Sequence, residues 1–180
     1  MNPEVAPMRP LDHWQVREIL ARHRLYLEGP DGKKASSTAV QVEDFDFSNL
    51  ALESVDFCGS AFRRCRFRGT DLKASNLQGE FTTCDFSDVN LLKAEIFDSD
   101  FTGSQFLNAM LARCNFTNSI LSGVSFRDAN LIGASIESCQ VESADFCGSQ
   151  QRSLSFYANK GQPIGIGPEA WCGEAVPGPR

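Results

Sequence analysis

The chain is poor in the residues that carry chemistry. Histidine occurs only twice, His13 and His23, and that spacing is not the i, i+4 arrangement that lets two imidazoles share a metal on one helix face. There is no glycine-rich loop ending in Lys-Ser/Thr, no Gly-x-Ser-x-Gly and no His-Glu-x-x-His, so phosphate cradling, a nucleophile elbow and zincin chemistry all lack their residues. No apolar run reaches the roughly 18 residues a membrane-crossing helix needs. Positive charge is the scarcer sign, 17 Lys and Arg against 23 Asp and Glu, and an acidic chain repels phosphate backbones. Direct nucleic-acid binding is therefore not expected, nor is a cofactor or a metal. The seven cysteines are odd in number and contain no Cys-x-x-Cys. The first residues lack the basic and apolar regions of a signal peptide, which points to a cytoplasmic, reduced protein. One domain is expected at this length.

What the chain has instead is a beat of five. From Val42 the steps land on Phe47, Leu52, Phe57, Phe62, Phe67, Leu72 and Leu77. One four-residue step leads to Phe81, and the beat of five then resumes through Phe146. All 22 positions are Phe, Leu, Ile or Val. The residue two before each is mostly small, as in Ser60, Cys65, Thr70, Ala94 and Ala129. Period five is neither the 3.6 of a helix nor the 2 of a strand. Two inward residues per five suit a coil that turns a corner after every pentapeptide, and four corners close a turn. Every fourth step from Phe47 is Phe: Phe67, Phe86, Phe106, Phe126, Phe146. Every fourth from Leu52 is Leu: Leu72, Leu91, Leu111, Leu131. Like residues recurring from coil to coil are the mark of a solenoid. The short step from Leu77 to Phe81 keeps this register and reads as a tightened corner.

The units Ala129-Asn130-Leu131-Ile132-Gly133, Ala144-Asp145-Phe146-Cys147-Gly148 and Thr70-Asp71-Leu72-Lys73-Ala74 resemble the consensus of the pentapeptide-repeat family, Ala-(Asp/Asn)-Leu-x-x. The resemblance implies an all-β solenoid, a right-handed quadrilateral parallel β-helix, here of about 5.5 coils and roughly 25 Å long at the usual strand spacing. A second stretch, His23 to Ala35, resembles the leader that often precedes such repeats in bacterial proteins. Some members of the family, the Qnr and MfpA quinolone-resistance proteins, are acidic rods that resemble B-DNA and bind DNA gyrase. The resemblance therefore implies two functions. One is a non-catalytic protein-interaction scaffold, and the alternative is an acidic DNA mimic that binds gyrase or a topoisomerase. Those relatives dimerise through a C-terminal hydrophobic element and some carry protruding loops. This chain has an uninterrupted repeat and a tail rich in Pro and Gly.

Four segments follow in order. Residues 1–10, with three prolines, read as a disordered leader. Residues 11–39 read as an N-terminal α-helix cap over residues 11–28 and a connecting loop; Trp14, Ala21 and Leu25 lie near one face, with Leu20 and Leu27 beside them, and Gly29-Pro30 stops the helix. Open solenoid ends need covering, so the helix is assigned to the N-terminal end, with a partner-binding helix as the alternative. Residues 40–150 form the β-helix. The beat fails past Gln150, and residues 151–180 read as an irregular cap or tail, with Leu154 and Phe156 laying a last partial coil.

The surface offers two candidates. Arg63, Arg64, Arg66 and Arg68 form a basic patch in the second coil, with Lys73 nearby. It could hold an acidic partner or phosphate, or neutralise stacked carboxylates such as Glu43, Asp44, Glu80 and Asp85. Carboxylates before the central residue (Asp46, Asp56, Asp71, Asp85, Asp100, Asp145) are expected to hydrogen-bond corner backbone. The second candidate is apolar: Leu92, Phe97, Leu107, Met110, Ala112 and Ile132 project outward near the all-Leu wall. Contiguous exposed apolar surface marks contact sites, so these six are expected to form a protein-partner or homodimer surface. Cys65, Cys84, Cys114 and Cys139 fall at the small inward position as buried thiols, with Cys65 and Cys84 stacked in neighbouring coils, while Cys58, Cys147 and Cys172 are candidates for exposure.

Overall fold

The computed structural model describes residues 8–29 and 39–167. Over the longer stretch the chain winds as a parallel β-solenoid of about six turns. Four walls arise because each pentapeptide ends in a corner two residues after its large inward residue. Asn49, Ser54, Arg64, Ala74, Asp88 and Lys93 occupy these corners with φ between 53° and 61°. That left-handed conformation costs an L-residue about 1–2 kcal/mol, and the surrounding hydrogen bonds hold it. Within a corner the small inward residue reaches back, Thr70 N–H donating to the Phe67 carbonyl at 3.1 Å. Between coils Phe67 N–H donates to the Asp85 carbonyl at 2.7 Å, and Asn90 N–H donates to the Thr70 carbonyl at 3.0 Å. Backbone groups are thus satisfied by the neighbouring coil, as burial requires.

Where a wall runs straight, strands form. The first wall carries β1 (Arg9–Pro10), β2 (Val40–Glu43), β3 (Ser60–Arg63) and β4 (Gly79–Thr82) as one parallel sheet. The fourth carries β5 (Glu95–Phe97), β6 (Asn115–Thr117), β7 (Ser135–Glu137) and β8 (Ser155–Tyr157) as another. Val42 pairs with Phe62 and Phe62 with Phe81, so the four-residue step leaves the register intact. The missing residue is the corner itself. Gly79 takes the inward position of Ser60 in the coil before, with φ of 156°.

The interior consists of ladders. On the second wall Phe47, Phe67, Phe86, Phe106, Phe126 and Phe146 stack with centroids 4.6–5.2 Å apart and ring planes within 14° of parallel. Phe62, Phe81 and Phe101 make a second stack on the first wall. The leucines of the third wall are fully buried. Small inward hydroxyls do not go unpaired: Thr70 Oγ1 donates to the Phe47 carbonyl at 2.7 Å and Ser104 Oγ to that of Phe81 at 2.6 Å. Cys65, Cys84, Cys114 and Cys139 are buried and free, and Cys84 and Cys139 donate to coil carbonyls in the same way. Burial pushes the Cys139 thiol up to about 11. Cys58 and Cys147 are half-buried, and Cys58 Sγ donates to Gln78 Oε1 at 2.9 Å; Cys172 lies outside the described residues.

Two expectations change at the N-terminal end. The leader is ordered by residue 9, because Arg9–Pro10 adds an edge strand to β2; residues 1–7 lie outside the described part. The helix α1 (His13–Glu28) starts at a capping box in which Asp12 accepts from Gln15 N–H and Gln15 from Asp12 N–H. It covers the N-terminal end, but turned from the face expected, sharing with it only Leu20. Val16 and His23 are buried, and Ile19 and Leu20 pack on the core. Leu11, Val16, Ile19 and Leu20 close over Val42, Phe47, Phe57 and Phe62. Trp14 is 70% exposed and Leu25 49%. The stripe at 16, 19, 20 and 23 has the i, i+3, i+4, i+7 spacing. His13 anchors its orientation, with Nε2 3.1 Å from the Glu43 carbonyl and the ring edge-on to Phe45.

The coil also continues beyond Gln150. Phe156 is buried and pairs with Ile136, and Leu154 is buried beside it. The beat misleads here because Gln151 takes an inward position. Its amide is satisfied by the next pass of chain, Nε2 donating to the Gly165 carbonyl at 2.7 Å and Oε1 accepting from Gly167 N–H at 2.9 Å. Residues 168–180 lie outside the described part.

Candidate interaction surface

The outward positions of each wall are those just before and just after the buried centre. The position before is commonly Asp or Asn, whose side chain accepts from the N–H just after. Asp46, Asp56, Asp71, Asp85, Asp100 and Asp145 all do so, at 2.8–3.1 Å. These carboxylates brace the turn, which is why the repeat carries them.

The four arginines of the second coil each meet a carboxylate of a neighbouring coil. Arg63 reaches Glu80 at 3.0 Å, Arg64 grips Asp44 and Glu43 at 2.8 Å, Arg66 holds Asp46 at 2.8 Å, and Arg68 holds Asp88 at 3.1 Å. Asp85 makes no direct ion pair among the described residues, since Arg66 turns to the coil before. Hydrogen bonds from Ser48 and from Arg66 hold the Asp46 carboxyl at about 2. Its pKa is depressed below the ordinary 3.8, so its stabilising contribution is present above that value and is lost as pH falls towards 2. The thermal midpoint should therefore be flat above about pH 4 and fall between pH 4 and 2. Substituting Arg66→Ala should shallow that fall, as followed by circular dichroism. These pairs are half exposed, so the effect at neutral pH is small.

The six apolar residues fall on three walls. Leu92, Ala112 and Ile132 occupy one column of the third wall in successive coils, linked through the Lys93 N–H to Ala112 carbonyl and Arg113 N–H to Ile132 carbonyl bonds. Met110 flanks the same wall, 49% exposed. Phe97 lies on the fourth wall at the end of β5 and is exposed, and Leu107 lies half-buried on the second. The structure thus brings four of the six onto one face and sets two around its corners. Sequence reasoning singled out these apolar residues but not the basic ones beside them, Lys93 and Arg113, which occupy the corner after the third wall.

Away from this face, a groove of about 670 Å³ opens at the shortened corner between Gln78 and Glu80, bordered by Asp98 and Asp100. Its carboxylates are engaged: Glu80 by Arg63, Asp100 by Thr102, and Asp98 by Gln78 at 3.5 Å. Among the described residues no three His, Cys, Asp or Glu side chains gather as a metal site, and no helix is long and apolar enough to cross a membrane.

Comparison with known proteins agrees with this architecture. The profile of pentapeptide repeats matches eight copies over residues 46–79 and 109–148. Among solved structures the chain is similar to Rfr23, a pentapeptide repeat protein of the cyanobacterium Cyanothece 51142, at 13% identity and a TM-score of 0.50, covering 84% of this chain and 99% of that one. HetL of the cyanobacterium Nostoc sp. strain PCC 7120, a pentapeptide repeat protein involved in heterocyst differentiation regulation, matches at 14% identity and a TM-score of 0.42, over 80% of this chain and 94% of its own. QnrB1, a plasmid-mediated fluoroquinolone resistance protein, matches at 24% identity and a TM-score of 0.32, over 68% of each chain. No curated protein matches. With its interior ladders, left-handed corners and aspartate braces all repeating every five residues, the chain belongs to the pentapeptide-repeat proteins.

Proposed function

We propose that the chain is a non-catalytic scaffold that binds another protein, and that the third wall is the docking face. One observation carries this: Met110, exposed, and Leu92, Ala112 and Ile132, half-buried, form an outward apolar surface on a rigid rod. The core is already closed by its own ladders without these side chains, and apolar surface left open to solvent serves contacts. Phe97 and Leu107 extend the face around its two corners. The double substitution Leu92→Glu and Ile132→Glu should leave the far-ultraviolet circular dichroism unchanged. It should reduce capture of the partner from the source cell by about tenfold or more, the loss expected when the centre of an interface is made polar. Unchanged capture and unchanged sedimentation would remove this reading.

The charge of the column favours a second reading. Residues 41–150 hold 16 Asp and Glu against 8 Lys and Arg. An acidic rod can stand in for duplex DNA on a gyrase or topoisomerase. A gyrase supercoiling assay separates the two readings: inhibition or quinolone protection at micromolar protein supports the mimic, and no effect leaves the scaffold alone.

A further inference from the structure

The cations of the column are divided between its walls. Arg63, Arg64, Arg66, Arg68 and Arg127 lie on the first and second walls, and each is ion-paired to a carboxylate of a neighbouring coil. The remaining three of residues 41–150 are Lys73, Lys93 and Arg113. All three lie on the third wall or its far corner, all are exposed, and none has an ion pair among the described residues. Arg152 continues the series in the next coil, also exposed. From Asn90 to Gly133 the outward positions of this wall contain no carboxylate: Asn90, Met110 and Asn130 stand before the leucines, and Leu92, Ala112 and Ile132 after them. Lys73 and Arg152 thus stand at the two ends of the apolar column, and Lys93 and Arg113 run beside it, on a rod that is acidic elsewhere.

We propose that this wall docks an amphipathic helix carrying an apolar stripe beside an acidic stripe, lying along the rod axis. The proposal rests on the docking reading above and adds the chemistry of the partner. Unpaired cations ringing an apolar strip recognise carboxylates that flank apolar side chains, and the acid excess of the other walls repels the same partner from them. The spacing also fits. Three coils span two intervals of about 4.8 Å, and two helical turns span about 10.8 Å, so one apolar and one acidic side chain per turn stay near their targets. Ala112 leaves a shallow step between Leu92 and Ile132 for a larger side chain, and Met110 beside it can adjust its shape. A nucleic acid would match the cations but not the apolar column.

The test pans a displayed library of random helix-forming peptides, about 16 residues or some four turns long, against the full chain. The expected result is a selected set rich in Asp and Glu next to Leu, Ile or Phe at helical spacing. Its binding should weaken about tenfold with Lys93→Glu and Arg113→Glu together, should weaken with Leu92→Glu and Ile132→Glu, and should fall with added salt. Selected peptides that depend on Leu92 and Ile132 but carry no acidic excess would overturn the inference and leave the docking face standing. Peptides indifferent to both pairs of substitutions, or no binders at all, would remove both. Binding of a duplex DNA oligonucleotide that is lost in the Lys93→Glu, Arg113→Glu variant would overturn the acidic-helix partner in favour of nucleic acid. A concentration-dependent dimer lost in the Leu92→Glu, Ile132→Glu variant would overturn it in favour of a second copy.

Discussion

Replacing Phe86 with Ala should destabilise the protein by about 3–5 kcal/mol, the cost of emptying a buried phenylalanine site in a core that cannot collapse. The ring lies between Phe67 and Phe106 at 4.7 and 4.8 Å, nearly parallel to both, and is edge-on to Phe81 and Phe101. The coils above and below are held at their spacing by the hydrogen-bond ladder, so they cannot close the gap. Against a total stability of about 5–15 kcal/mol for a typical domain, a loss of this size is large. Phe86→Leu separates volume from stacking. Leucine refills most of the cavity and forfeits the ring pairs, each worth about 0.5–1.5 kcal/mol, so its loss should be well under that of alanine. Guanidinium denaturation followed by circular dichroism reads both. If Phe86→Ala cost no more than a surface substitution, the rigid-ladder account of the core would be wrong.

Gly79→Ala should cost about 3 kcal/mol, the upper part of the range for forced overpacking. A β-carbon at Gly79 would lie 2.3 Å from the Ser60 carbonyl oxygen, and that oxygen belongs to a backbone paired on both sides. Neither partner can yield, because Ser60 and Gly79 are neighbours in the β3–β4 register. Gly123→Ala is the control. Gly123 has a left-handed φ of 68° but nothing within 4 Å of its would-be β-carbon, so only the backbone preference of about 1–2 kcal/mol is at stake. A deficit for Gly79→Ala no larger than that for Gly123→Ala would show that the shortened corner tolerates a side chain.

Much of this architecture is local, and so could be read from the chain. One large and one small inward residue recur at every fifth position, and the wall each belongs to follows by counting. The Phe and Leu ladders, the register across the short step and the bracing aspartates all come from that count. The helix face does not. The helix carries apolar residues on more than one side, and Val16, Ile19, Leu20 and His23 go inside while Trp14 and Leu25 stay out, because where the helix lands is set by its contacts with Glu43, Phe45 and the open end of the column. The last coil could be read only in part, from Leu154 and Phe156, since Gln151 is polar and only the chain passing over it supplies its hydrogen-bond partners.

By itself the sequence determined the repeat, the number of walls and which residues line each, because burial in a solenoid depends on position within a short unit. Only the tertiary structure decided which charges are spent and which are free. Arg66 and Arg113 are the same residue type, but one is paired to Asp46 across a coil boundary while the other stands between Lys93 and Gly133 of its neighbouring coils. The distinction depends on what the adjacent coil places some 20 residues away, one full turn of four pentapeptides.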